Sequence, residues 1–122
     1  MQTTGLGVLG ETYAADYLRR TGYIILDRNF TSRFGEIDII AQHGHFLCFV
    51  EVKTRGVRAL GRPAEAVTPA KQQKLWRTAE YYLARHRALV TRRDLQPRFD
   101  VIEVYADADG RPCRLNHLEN AF

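Results

Sequence analysis

A chain of 122 residues, 45% of them hydrophobic, fits one domain with a core of ordinary size, and a second is not expected. Two widely separated cysteines, Cys48 and Cys113, exclude a disulfide framework and a CxxC zinc site, and no stretch resembles a secretory leader or a bilayer span, so a reduced, cytoplasmic, membrane-free protein is expected. The net charge of +4 is unevenly spread: from Lys53 to Arg98 twelve Lys or Arg stand against Glu65, Glu80 and Asp94, while both flanks are acidic, a distribution suited to a polyanion partner.

Leu6, Leu9, Tyr13, Ala14, Tyr17 and Leu18 recur at helical spacing and Gly22 follows in a cap position, which predicts an amphipathic first helix. Glu11 borders its apolar stripe and therefore needs a partner. "GYIILDRNF" reads as a strand, "TSRFG" as a turn, and residues 36–42 and 46–54 as two strands joined at "HGH". "RGVRALGRPAEAV" carries Gly56, Gly61 and Pro63 and reads as a loop, whose Arg55, Arg58 and Arg62 are candidates for phosphate contact. Thr68 caps a second helix with Pro69 in its first turn, running to about His86. One face holds Leu75, Thr78, Ala79, Tyr82, Leu83 and His86; another gathers Lys71, Lys74, Arg77, Tyr81 and Arg85, of which Lys71 and Lys74 are nucleic-acid-binding candidates. "RFDVIEVYA" is a further strand, "DADG" a turn, and the chain closes with a short strand and tail. The order α-β-β-β-α-β gives an α/β or α+β domain with a mixed sheet.

The chemistry concentrates in "GEIDIIAQHGHFLCFVEVKTR". A two-residue turn at Gly44 and His45 sets Asp38 opposite Glu51 and Glu36 opposite Lys53, and strict alternation puts 36 with 38 and 51 with 53. Like charges facing each other destabilise a sheet unless something positive lies between them. "FLCFV" is apolar at both parities, which predicts a central strand covered on both faces, where charges are costly unless paired or liganded. Asp38, Glu51 and Glu11 form an oxygen-rich set suited to Mg2+ or Mn2+, and Lys53 is placed to position a water or neutralise a phosphate oxygen. Trp76 is expected to pack, and His43, His45, His86 and His117 share no ligand spacing and are expected to be turn, packing and surface residues.

"GEID", a twelve-residue gap after Asp38, and "EVK" resemble the core of the PD-(D/E)xK nucleases, and a Glu on the first helix brings the likeness closer to archaeal Holliday-junction resolvases. The resemblance implies a restriction-endonuclease-like fold, Glu11, Asp38 and Glu51 as metal ligands, Asp38, Glu51 and Lys53 as catalytic residues, and a homodimer. Ile37 stands where the superfamily's proline would be. Gln72, with Glu36, would support the site. A likeness spanning nearly the whole chain, through "RNFTSRFGEIDII", "FVEVKTR", "AVTPAKQQKL" and "HLENAF", is to the YraN-like family of small bacterial proteins. The resulting expectation is a metal-dependent endonuclease acting on DNA, branched or damaged forms included. Its rivals are a non-catalytic nucleic-acid-binding protein with a nuclease-like fold, accessory to DNA repair, uptake or recombination, and an adaptor whose basic face meets an acidic protein.

Overall fold

The computed structural model describes residues 5–56 and 67–122. In chain order these form α1 (Gly5–Arg20), β1 (Ile24–Ser32), β2 (Gly35–His43), β3 (Phe46–Arg55), α2 (Pro69–Arg85), α3 (Arg87–Arg93), β4 (Gln96–Ala106) and β5 (Pro112–Leu118). The strands make one mixed sheet in the order β1-β2-β3-β4-β5, antiparallel except where β3 pairs with β4. That single parallel pair is joined through α2 and α3, as parallel neighbours require a crossover. The fold is therefore the expected mixed α+β arrangement, with one element the sequence did not announce. Helix α3 buries no residue completely, so "RALVTRR" carries no apolar stripe by which to recognise it.

Each helix ends or begins on a local signal. The Tyr23 amide donates to the Leu18 carbonyl and the Gly22 amide to Arg19, with Gly22 at φ 94°, a Schellman cap that a residue with a Cβ would strain. Leu18 and Tyr23 then join the same apolar cluster. At α2 the Thr68 hydroxyl accepts from the Lys71 amide at 3.2 Å, and Pro69 occupies the first turn as predicted.

The sheet is covered on both sides. Ala14, Ala15 and Leu18 of α1 pack on Ile39, Ala41, Cys48, Val50, Ile102 and Val104. Leu75, Ala79 and Tyr82 of α2 pack on Ile37, Ile40, Leu47, Phe49 and Phe99. Alternate residues of "FLCFV" thus enter opposite layers, which makes β3 the covered central strand the sequence implied. β2 breaks the pattern. Ile37 packs beneath α2 whereas Ile39 packs beneath α1, so the strict alternation assumed for positions 36 and 38 does not hold across Asp38. Facing this step on β1, Asn29 adopts a positive φ of 53°, between the paired Arg28↔Ile39 and Phe30↔Ile37.

Candidate metal and phosphate site

The β2–β3 ladder pairs Ile39 with Val50 through His43 with Phe46, the predicted register, and then stops. Asp38 and Glu51 lie one step past its last rung. Here a side chain replaces a backbone acceptor: Asp38 Oδ2 takes the Val52 amide at 2.8 Å. The strands part at this point into a cleft of about 710 Å³ that α1 and α2 border. Glu11 comes from α1, Glu36 and Asp38 from β2, Glu51 from β3, and Lys71, Lys74 and Thr78 from α2. Gly10 holds α1 close, since a Cβ there would collide with the side chain of Thr54 on β3, and the next residue, Glu11, is thereby seated over the opening.

The carboxylates are unequally compensated. Burial pushes the Asp38 carboxyl up to about 7; the Val52 hydrogen bond opposes this, and the charges of Glu51, Glu11 and Glu36 reinforce it. Glu11 is only 6% exposed and meets Arg28 Nη2 at a long 3.4 Å. Glu51 Oε2 lies 3.1 Å from Lys71 Nζ, yet the angle is wrong for a hydrogen bond and that buried oxygen has no hydrogen-bond partner. The distance describes charge attraction and the angle describes satisfaction, so the pair is an ion pair without a hydrogen bond. An orphaned buried oxygen, an acid whose charge the fold resists and an all-oxygen donor set fit a hard divalent cation. Among the described residues no three acidic, histidine or cysteine side chains converge closely enough to hold one ion as they stand. Glu11 and Glu51 are drawn off to Arg28 and Lys71.

Several predicted site residues stand elsewhere. Lys53 shares the parity of Glu51 but does not line the cleft, and the expected Glu36–Lys53 pair is not among the ion pairs of the described residues. Arg55, two residues on, binds Glu103 Oε2 through Nε at 3.3 Å, with Nη2 buried and unpartnered. Gln72 donates to the Val67 carbonyl at 2.9 Å and steadies the start of α2 instead of entering the cleft. Arg58 and Arg62 lie outside the described residues. Lys71 and Lys74 do line the cleft, as their face of the helix suggested. Trp76 packs edge-on against Phe99 at 4.6 Å while remaining 39% exposed.

Sequence reasoning missed Arg28, Asn29 and Thr31, the β1 contribution to the cleft and its surroundings. An Asn within a strand pattern was the available signal, since Asn tolerates the left-handed backbone that breaks a ladder. It also missed a second polar cluster. Arg98 donates to Asp100 at 2.9 and 2.8 Å and to the Tyr23 hydroxyl at 2.9 Å. His117 links Asp100 Oδ2, at 2.8 Å, to the Tyr17 hydroxyl, at 2.9 Å. The Asn120 amide donates to Asp100 Oδ1 at 3.0 Å, tying down the tail. His117 is thus a buried link in a network and not a surface residue.

The comparisons agree with one another. The family described as "Uncharacterised protein family UPF0102" matches residues 10–104. A UPF0102 protein of Caldicellulosiruptor saccharolyticus is 43% identical over all of both chains. One from Symbiobacterium thermophilum is 51% identical over 96% of this chain and 95% of its own. Another, from Clostridium botulinum strain Loch Maree, is 44% identical over 96% of this chain and 93% of its own. The family's matched span runs from Gly10, which seats α1, through every acid of the cleft to β4. The chain belongs to the UPF0102 family.

Proposed function

We propose that this protein is a divalent-metal-dependent phosphodiesterase that cuts DNA, branched or damaged forms included. The observation that carries the reading is the cleft itself, where Glu11, Glu36, Asp38 and Glu51 meet Lys71 and Lys74. A pure polyanion-binding surface has no use for four acids beside its lysines, because they repel phosphate. Acids for a cation and lysines for a phosphate, in one cleft, are what phosphoryl chemistry needs. The likeness of "GEID" and "EVK" to the PD-(D/E)xK core, and an element order beginning α-β-β-β-α, support the same assignment.

In this reading Asp38, Glu51 and Glu11 would hold Mg2+ or Mn2+, which would supply Lewis-acid polarisation of a phosphate oxygen. The protein's own part is electrostatic and geometric. Asp38 is fixed by the Val52 amide. Lys71 and Lys74, from one face of α2, receive the phosphate oxygens. Lys53, which is not among the lining residues, would assist attack by reaching into the cleft. Nothing in the sequence reads bases, so backbone shape governs substrate choice. A two-fold dimer would present two such clefts to a symmetric junction.

The purified protein incubated with single-stranded, duplex, flap and four-way DNA, and with RNA, in Mg2+ or Mn2+ is expected to cut at least one DNA form. Asp38→Ala and Lys53→Ala are expected to abolish cutting. A second reading, a nucleic-acid-binding protein without turnover, gains from the absence of Lys53 from the cleft lining and from the separated acids. Salt-dependent DNA binding with no cleavage under any condition would decide for it.

A further inference from the structure

We propose that Lys71 is a tethered counter-ion for the metal site: its ammonium holds the place on Glu51 that a divalent cation takes, and moves to phosphate when nucleic acid arrives. The inference rests on the metal-dependent reading above and adds its regulation.

Three observations carry it. Lys71 Nζ is 3.1 Å from Glu51 Oε2, but the geometry makes no hydrogen bond and leaves that oxygen buried and orphaned. The pair is lopsided, with the Glu51 side chain 16% exposed and that of Lys71 45%. The lysine can therefore leave into the cleft's water at little cost, while the carboxylate cannot follow it. Finally, the backbone beneath Lys71 is fixed, because its amide is held by the Thr68 hydroxyl and Gln72 anchors the same turn to Val67. A firm base, a half-exposed ammonium and an acid without a hydrogen bond describe a contact built to be exchanged. A structural pair in the same molecule, Arg98 with Asp100, has two good hydrogen bonds and both partners buried.

The exchange has a thermodynamic consequence. A cation arriving alone must displace Lys71 from Glu51. A phosphate entering with it offers Lys71 a new partner, so cation and nucleic acid each raise the other's affinity by the same factor. In the empty protein Lys71 keeps the acids apart and limits metal uptake.

The test is a titration of Mn2+, without nucleic acid, into the full chain and into Lys71→Met, Lys71→Arg and Lys74→Met, with thermal melts confirming that each folds. Lys71→Met is expected to bind Mn2+ about threefold or more tighter than the native chain, the scale of a partly exposed ion pair. Lys71→Arg keeps the charge and is expected to match the native affinity. Lys74→Met removes the same charge from the same cleft but no contact with Glu51, and is expected to tighten binding less. Unchanged or weaker binding by Lys71→Met, or equal tightening by Lys74→Met, overturns the tethered counter-ion and leaves the metal reading standing. If neither the native chain nor Lys71→Met takes up Mn2+, the metal reading falls and this inference with it.

Discussion

Asp38 and Asp100 are both strand aspartates near the middle of one sheet, and the fold treats them in opposite ways. Burial would push the Asp100 carboxyl up, but hydrogen bonds from His117, Arg98 and the Asn120 amide outweigh it and hold the group below the usual carboxylate range. Asp38, with the Val52 amide as its donor and three acids around it, is pushed up to about 7. One aspartate has been given everything an anion needs and organises the fold. The other has been denied it, and a buried acid left under-compensated in a cleft marks a place where something positive belongs. Perturbation alone would not separate them; the direction does.

The largest effect should come from breaking the satisfied member. Asp100→Asn leaves buried Arg98 with only a 3.5 Å ion pair to the exposed Glu119 and loosens the tail held through Asn120. Removing one partner of a buried pair costs about 3–5 kcal/mol, so the melting temperature and urea midpoint should fall steeply. A loss below about 1 kcal/mol would mean that water replaces the carboxylate and that the network is not structural.

The opposite substitution should stabilise. The Asp38 carboxyl stays protonated in the fold up to about pH 7 and ionises near 3.8 in the unfolded chain. Between those values the folded state binds more protons than the unfolded one. Stability from this group is greatest below the lower value, falls as pH rises through the window, and levels off above it. Asp38→Asn removes that cost and should be more stable than the native chain above about pH 7, by roughly 1–3 kcal/mol, with no advantage below about pH 4. Mn2+ should do the same to the native protein, raising its melting temperature more at about pH 8 than at about pH 5, and should do little to Asp38→Asn. Urea unfolding across pH, with and without Mn2+, reads both effects; a native chain whose stability rises through that window would contradict the assignment.

Glu103 stands between the two extremes. It is 2% exposed and receives Arg55 at 3.3 Å, the Tyr105 hydroxyl at 3.4 Å and the Asn116 amide at 3.2 Å, all long. Arg55→Met keeps the apolar stem and removes the charge, leaving two weak donors on a buried acid. An intermediate loss of about 1–3 kcal/mol is expected in thermal melts. Should Arg55→Met instead weaken DNA binding without changing stability, Arg55 serves phosphate after all and the Glu103 contact is incidental.

What the sequence revealed and concealed follows the same division. The hairpin register was legible because a two-residue turn and the apolar run "FLCFV" fix it together, and the register in turn predicted that Asp38 and Glu51 meet. The shared face of Lys71 and Lys74 was legible because α2 has a strict helical period, although that this face borders the acids was not. Lys53 is absent from the lining although it shares the parity of Glu51, because parity fixes the face of a residue and not where a long side chain points. The step at Asp38 was hidden because alternation is the very rule it breaks, through Asn29 on the neighbouring strand. The Arg98–Asp100–His117 network was hidden for a different reason: its members come from β4 and β5, joined only by tertiary packing, and nothing local marks their spacing.

The smallest expected change sharpens the comparison most, because it moves one region and spares the other. In Gly10→Ala the added Cβ meets the Thr54 side chain, so either the threonine turns aside or α1 lifts. Alanine's helix propensity returns up to about 1 kcal/mol against that strain, and the melting temperature should barely change. The position of Glu11 should change, since it is the next residue along and, among the described residues, the one acid of α1 that lines the cleft. Mn2+ affinity should therefore weaken severalfold, by roughly the loss of one well-placed carboxylate's alignment, while the NMR signals of His117 stay where they were. If His117 moves as well, α1 has shifted as a rigid body through Tyr17, which the hydrogen bond to His117 would report directly, and the two aspartate sites are mechanically linked instead of independent.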